Sequence, residues 1–176
     1  MKRMAGLGVG GLVMLAAWAQ SAAAGETPAQ GDKLINVPLT TLSGKKTSLA
    51  KIVKGKVTAF KFGTTWCGWC KKELAEFEKV IDKYGDKVVT LDIDVKEPAA
   101  KVKASHKKLN VRTPVVLDPQ GKAAAKYDVR GFPTLIVADH KARVLLRSYY
   151  VPFAKLEPIL DKAVKAAAAD KKTGGS

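Results

Sequence analysis

The sequence predicts an α/β sandwich with a mixed central sheet flanked by helices, and two observations carry that expectation. Strand-like and helix-like segments alternate through the first half of the chain. A hairpin followed by a helix closes the second half, which adds antiparallel strands to an otherwise parallel core.

The elements follow in order. Val37–Leu42 and Lys45–Leu49 flank a Ser43-Gly44 turn and predict an N-terminal β-hairpin. Val57–Phe62 is β-rich, bounded by Gly55 and Gly63, and predicts a buried strand. From Cys67 to about Tyr84, Leu74, Phe77, Val80 and Ile81 recur at helical spacing, and Gly85 supplies a C-terminal stop. Val88–Val95 predicts a second core strand. A lysine-rich helix over 97–109 and a short strand over 113–118 form a central helix–strand insertion. Ala123–Tyr127 is a short helical turn. Thr134–Asp139 and Arg143–Tyr150 pair across the tip His140-Lys-Ala142. Residues 153–169 form a last helix with Leu156, Ile159, Leu160, Ala163 and Val164 on one face.

At 176 residues the chain suits one domain with short additions. Residues 1–24 read as a secretory signal: Lys2 and Arg3, an uncharged run from Ala5 to Ala19, then Ala22 and Ala24 before a cleavage point at Gly25. The rival reading is an uncleaved anchor, since the uncharged stretch is about long enough to span a bilayer. Residues 25–33 are a polar linker, 34–169 the folded domain and 170–176 a polar tail. The net charge of +15 becomes +13 without Lys2 and Arg3, because residues 1–24 hold no acidic side chain. That balance favours acidic partners and anionic surfaces. The lysines are spread along the chain, and in an exported protein they give no reason to expect nucleic acid.

Only two cysteines are present, Cys67 and Cys70, in Trp66-Cys-Gly-Trp-Cys70. Cys67 follows a predicted strand and opens a predicted helix. There the free N–H groups and the positive end of the helix dipole stabilise a thiolate. Cys67 is the expected exposed, attacking thiolate, and Cys70 the inward-facing resolving one. Three alternatives stand beside this reading. A structural disulfide closing so small a ring gains little from loop closure. A zinc site needs about four ligands, and His106 and His140 lack metal-motif spacing to the cysteines. A soft metal such as copper suits a pair of thiolates.

With these residues in view, the chain resembles the thioredoxin-fold family, and in particular its exported branch of TlpA- and ResA-like thiol–disulfide oxidoreductases. The resemblance rests on Phe60-Lys-Phe-Gly-Thr-Thr-Trp-Cys-Gly-Trp-Cys-Lys-Lys-Glu73 and Tyr127-Asp-Val-Arg-Gly-Phe-Pro-Thr134, and spans about residues 34–165. It implies a thioredoxin-like fold in which Cys67 and Cys70 form a redox-active disulfide. It makes Pro133 a cis-proline opposite the cysteines, with Trp66, Trp69, Phe132 and Thr134 along a substrate groove; Phe132 read alone is an ordinary core residue. Trp69 stands where thioredoxins carry proline, which leaves the redox potential open.

Glu73 matches an acidic residue that influences thiol ionisation; read alone it is an exposed first-turn helix glutamate. Lys61 stands where thioredoxins carry a buried aspartate, whose lysine partner aligns with Thr90. If Lys61 points at Cys70, its ammonium favours the thiolate and a pairing with Glu73 neutralises the site; otherwise it snorkels to the surface.

The resemblance implies a periplasmic monomer, without cofactor or metal, that exchanges with protein disulfides or dithiols. It leans to a reductant in cytochrome c or copper-site maturation, supplied by a membrane electron donor similar to DsbD or CcdA. The competing classes are a copper metallochaperone, a general periplasmic oxidant and a peroxiredoxin-like peroxidase.

Overall fold

A computed structural model describes residues 27–173. The expected signal segment, the linker's first two residues and the last three residues of the chain lie outside the described residues. Seven strands form one mixed sheet: β1 (Pro38–Thr41), β2 (Lys46–Ser48), β3 (Val57–Gly63), β4 (Val88–Val95), β5 (Val115–Asp118), β6 (Thr134–Ala138) and β7 (Val144–Ser148). Their spatial order is β2-β1-β5-β4-β3-β6-β7. The central β3, β4 and β5 run parallel, while β1, β6 and β7 pair antiparallel at the flanks. The helices are α1 (Leu49–Val53), α2 (Gly68–Tyr84), α3 (Ala99–Leu109), α4 (Lys122–Lys126) and α5 (Phe153–Thr173).

The pleat sorts side chains to two apolar layers. On one face Phe60 and Phe62 of β3 and Leu91 and Ile93 of β4 pack with Leu49, Val53, Ala123 and Tyr127. On the other, Val57 and Ala59 of β3 pack with Leu74, Phe77 and Val80 of α2 and Leu156, Leu160 and Ala163 of α5. Because side chains alternate along a strand, Lys61 and Gly63 fall on the α2 face. Thr90, Asp92 and Asp94 of β4 share that face, opposite the apolar Leu91 and Ile93. This polar stripe inside the sheet prepares the site.

Two elements differ from the sequence expectation. Leu49 begins α1 rather than ending β2: the Ser48 hydroxyl accepts from the Lys51 N–H, and Leu49 and Val53 bury one helical turn apart. Five residues are too few for periodicity to register. Helix α5 runs four residues past 169. Asp170 of the expected tail pairs with His140 and Lys141 at the β6–β7 tip. No described helix is long and apolar enough to cross a membrane.

Candidate active site

Strand β3 delivers the chain into a short loop, and Cys67 is the N-cap residue of α2. Its Sγ accepts the Cys70 N–H at 3.1 Å and is bonded to Cys70 Sγ. Cys67 is 7% exposed and Cys70 1%. The expected asymmetry is therefore smaller than the sequence suggested, since Cys67 is itself buried. A thiolate formed there meets unpaired N–H groups of the first helical turn. The loop ahead of it is pinned by Glu97, whose carboxylate accepts the Thr65 N–H and hydroxyl and pairs with Lys101.

Lys61 is only 1% exposed, so it does not snorkel to the surface. Its ammonium pairs with Asp92, directly across β3–β4 in the register, and not with Glu73. Thr90, the expected partner position, stands opposite Ala59. The strand that supplies the anion in thioredoxins by the resemblance here supplies the cation. Asp92 also bonds His106 of α3 at 3.0 Å. Burial pushes the Asp92 carboxyl up, but Lys61 and His106 outweigh it and hold the group below its ordinary range. Lys61 Nζ also lies in the neighbourhood of Cys70 Sγ, on the far side of Gly63. A Cβ added to Gly63 would lie 2.6 Å from Lys61 Nζ and 3.1 Å from Cys70 Sγ. Ammonium and buried sulfur thus flank one point, where only a glycine fits.

Glu73 is fully buried, not an exposed first-turn residue. Its Oε2 accepts the Val151 N–H at 3.0 Å, while Oε1 has no partner. Burial raises its pKa to about 7, against the opposing effects of the Val151 bond and the Lys61 charge. Four acidic residues around the site were missed in the sequence: Asp92 and Glu97, described above, and Glu76 and Asp94. Glu76 accepts the Phe153 N–H at the start of α5. Asp94 lies opposite Gly63 in the register, with Oδ1 buried and unpartnered. Burial, then neighbouring Glu97 and Asp92, raise its pKa to about 8. The signal for Asp92 and Asp94 was the Thr90-x-Asp92-x-Asp94 alternation, a polar face hidden inside an apolar-looking run.

The Phe132–Pro133 peptide is cis. Thr134 pairs with Phe62 at the end of β3 from which the Cys67 loop departs, so the cis peptide sits beside that loop. Trp66 is 68% exposed and meets Phe132 edge to face, with centroids 6.3 Å apart. Phe132 also packs partly on the core. An apolar cleft opens between Trp66, Phe132, Val129 and Ala125. Thr134 is turned away from that cleft: it is buried, donates to the Gly131 carbonyl, and lines a second cleft with Arg130, Arg147 and Tyr149. Trp69 lies apart from Phe132, against Tyr150 at 5.2 Å and under the Lys72 ammonium. No group of three or more His, Cys, Asp or Glu side chains is placed to hold a metal among the described residues. Chemically, the arrangement is a reversible two-electron dithiol–disulfide couple, with cation and carboxyls behind it and aromatic clefts before it.

Comparison with known proteins agrees with this geometry. Residues 30–147 match the model of the AhpC/TSA family, most of the chain. The chain belongs to the AhpC/TSA family. Among its relatives in this family, the sporulation thiol-disulfide oxidoreductase A of Bacillus subtilis is 31% identical over 76% of this chain and 81% of its own length. The thiol-disulfide oxidoreductase ResA of Bacillus cereus is 34% identical over 65% of this chain. The chain spans 66% of that relative's length, just under two thirds. The fold of this AhpC/TSA chain is that of a thioredoxin-family thiol:disulfide interchange protein from Chlorobium tepidum, with a TM-score of 0.65 at 22% identity, covering 77% of this chain and 98% of that one.

Proposed function

We propose that this protein is a periplasmic thiol–disulfide oxidoreductase that reduces protein disulfides through Cys67 and Cys70. The observation that carries the reading is the Cys67–Cys70 disulfide at the N-terminus of α2, beside the cis Phe132–Pro133 peptide and rimmed by exposed Trp66 and Trp69. The names of the curated relatives support the same activity. In the reduced state the Cys67 thiolate attacks a target disulfide and forms a mixed disulfide. Cys70 then attacks Cys67 Sγ, and the target leaves as a dithiol with the protein's two electrons. Extended substrate backbone lies along the cis-proline loop, with an apolar side chain in the Trp66–Phe132 cleft.

The reductive direction and the maturation type, cytochrome c or copper-site, are supported by resemblance to exported reducing relatives. A membrane donor similar to DsbD or CcdA restores the dithiol. Export rests on the signal-like residues 1–24. The test is insulin reduction with wild type, Cys67→Ser and Cys70→Ser, beside a redox titration. We expect Cys67→Ser to be inactive and Cys70→Ser to accumulate mixed disulfides. We expect a potential near thioredoxin's roughly −270 mV. Absence of catalysis refutes the activity, and a potential near about −120 mV refutes the direction.

A further inference from the structure

An open cleft of about 380 Å³ lies on the β6–β7 side of the cis-proline loop. Asp128, Arg130 and Thr134, which bracket the cis peptide, line it together with Arg147, Ser148 and Tyr149 at the end of β7. The Tyr149 ring lies against Gly131, where an added Cβ would meet it at 3.1 Å. The cleft therefore begins at the backbone just ahead of Pro133. Val129 and Phe132 of the same loop line the apolar cleft beside Trp66 instead. Loop residues thus alternate between an apolar recess and a charged one.

Arg147 is half-buried, and its charge is not compensated. Its Nη2 donates to the carbonyls of Tyr127 at 2.6 Å and Asp128 at 3.1 Å. Those bonds fix the guanidinium but leave its charge in place. Its Nη1 is buried without a hydrogen-bond partner, and no carboxylate among the described residues forms an ion pair with it. Asp128 pairs with Arg130 instead, in a surface pair whose arginine is 80% exposed. Such a pair contributes little and is readily exchanged for another. Two guanidiniums against one carboxylate leave the lining with one positive charge. One carboxylate matches that charge, whereas a phosphate monoester brings nearly two negative charges. Guanidinium groups present parallel N–H donors suited to a carboxylate, and Ser148 and Tyr149 add hydroxyls.

We propose that this cleft takes the carboxylate of a glutamate or aspartate of the substrate protein, close in sequence to the cysteine that Cys67 attacks. This rests on the thiol-exchange reading above and names the substrate class that the site favours. A substrate segment along the loop places an apolar side chain at Trp66 and Phe132 and an acidic one at Arg130 and Arg147. Arg130 turns from Asp128 to the incoming carboxylate, while Arg147 attracts it from a fixed position. An amide in the same place leaves the Arg147 charge uncompensated, and that difference is the source of specificity.

The test uses disulfide peptides in which one glutamate is moved through successive positions around the cysteine, each matched by a glutamine peptide. Reduction by the dithiol protein is expressed as the glutamate-to-glutamine rate ratio. In wild type the ratio should peak at about tenfold over a narrow stretch, the effect of one charge-assisted hydrogen bond. It should stay near unity elsewhere. Arg130→Gln and Arg147→Met should each lower the peak, and the double variant should abolish it. Arg143→Gln, which removes the same charge at the opposite end of β7, should keep it. A ratio that is equal at every position, or a peak that survives in the double variant, overturns the proposal.

Should the Arg147 variants fail to fold, the wild type decides. Peptides with serine in place of cysteine are titrated into the oxidised protein, and the guanidinium resonances of Arg130 and Arg147 are followed by NMR. The glutamate peptide should shift both and the glutamine peptide neither; equal shifts refute the assignment. Inorganic phosphate that shifts them where the glutamate peptide does not marks a site for free anions and also refutes it. This binding requires no thiol exchange, so the two readings fail separately. Glutamate-specific shifts in a protein that reduces no peptide defeat only the function. Reduction without a glutamate preference defeats only the cleft.

Discussion

Lys61 and Asp92 are each other's principal compensation for burial, and removing one leaves a charge without water or partner. Lys61→Met should therefore lower the unfolding free energy by about 3–5 kcal/mol, measured by denaturant titration of the oxidised protein. Lys61→Met combined with Asp92→Leu should recover most of that loss, since an apolar replacement of a buried pair is often neutral. The same ammonium flanks Cys70, so the single variant should also raise the pH at which thiolate absorbance develops. An unchanged thiol titration would show that Lys61 is purely structural.

Glu73 adds a pH dependence of opposite origin. Its folded pKa of about 7 exceeds the ordinary 4.5, so folding favours the protonated form. The stabilisation is complete below about pH 4.5 and is lost as pH rises through about 7. Glu73→Gln keeps an acceptor for the Val151 N–H and should remove up to about 3 kcal/mol of the alkaline loss. Unfolding curves on either side of that range check it, and Asp94 should account for the slope that remains.

At the level of elements, α2 does more than present the cysteines. From one face it offers Glu73 to the Val151 N–H and Glu76 to the Phe153 N–H, so it caps the start of α5 through tertiary contact. The Glu76 carboxylate also opposes the positive end of the α5 dipole. Glu76→Ala should cost about 1–2 kcal/mol, the range for losing an N-terminal cap. Amide exchange at Phe153 should accelerate while the α2 core amides at Phe77 and Val80 keep their protection. If Phe153 exchange is unaltered, Glu76 does not cap the helix. Sequence periodicity found α2 because Leu74, Phe77 and Val80 form its stripe. It did not show that Glu73 and Glu76 lie buried beside that stripe, because a glutamate's side of the helix is decided by whichever N–H groups another element brings to it.

For the molecule as a whole, the charge of +15 in the full sequence favours association with acidic partners. Exchange with an acidic protein disulfide should slow about tenfold or more between low and high ionic strength, as steered association does. Exchange with an uncharged small disulfide should change little. Equal salt dependence in the two stopped-flow series would show that net charge plays no part in partner approach.

The alternation of strand and helix patterns, the position of Cys67–Cys70 at a strand–helix junction and the Phe132-Pro133 loop were legible in the chain itself. Each depends on local periodicity or on a motif whose chemistry is carried by adjacent residues. The partner of Lys61, the burial of Glu73 and the placement of Asp94 were decided only by tertiary structure. Those three depend on strand register and on which N–H groups α5 brings to α2, and a one-residue change of register turns every side chain to the opposite face. The dithiol chemistry is thus written locally in the sequence. The charges that tune it are assembled across β3, β4 and α2, where only the fold brings them together.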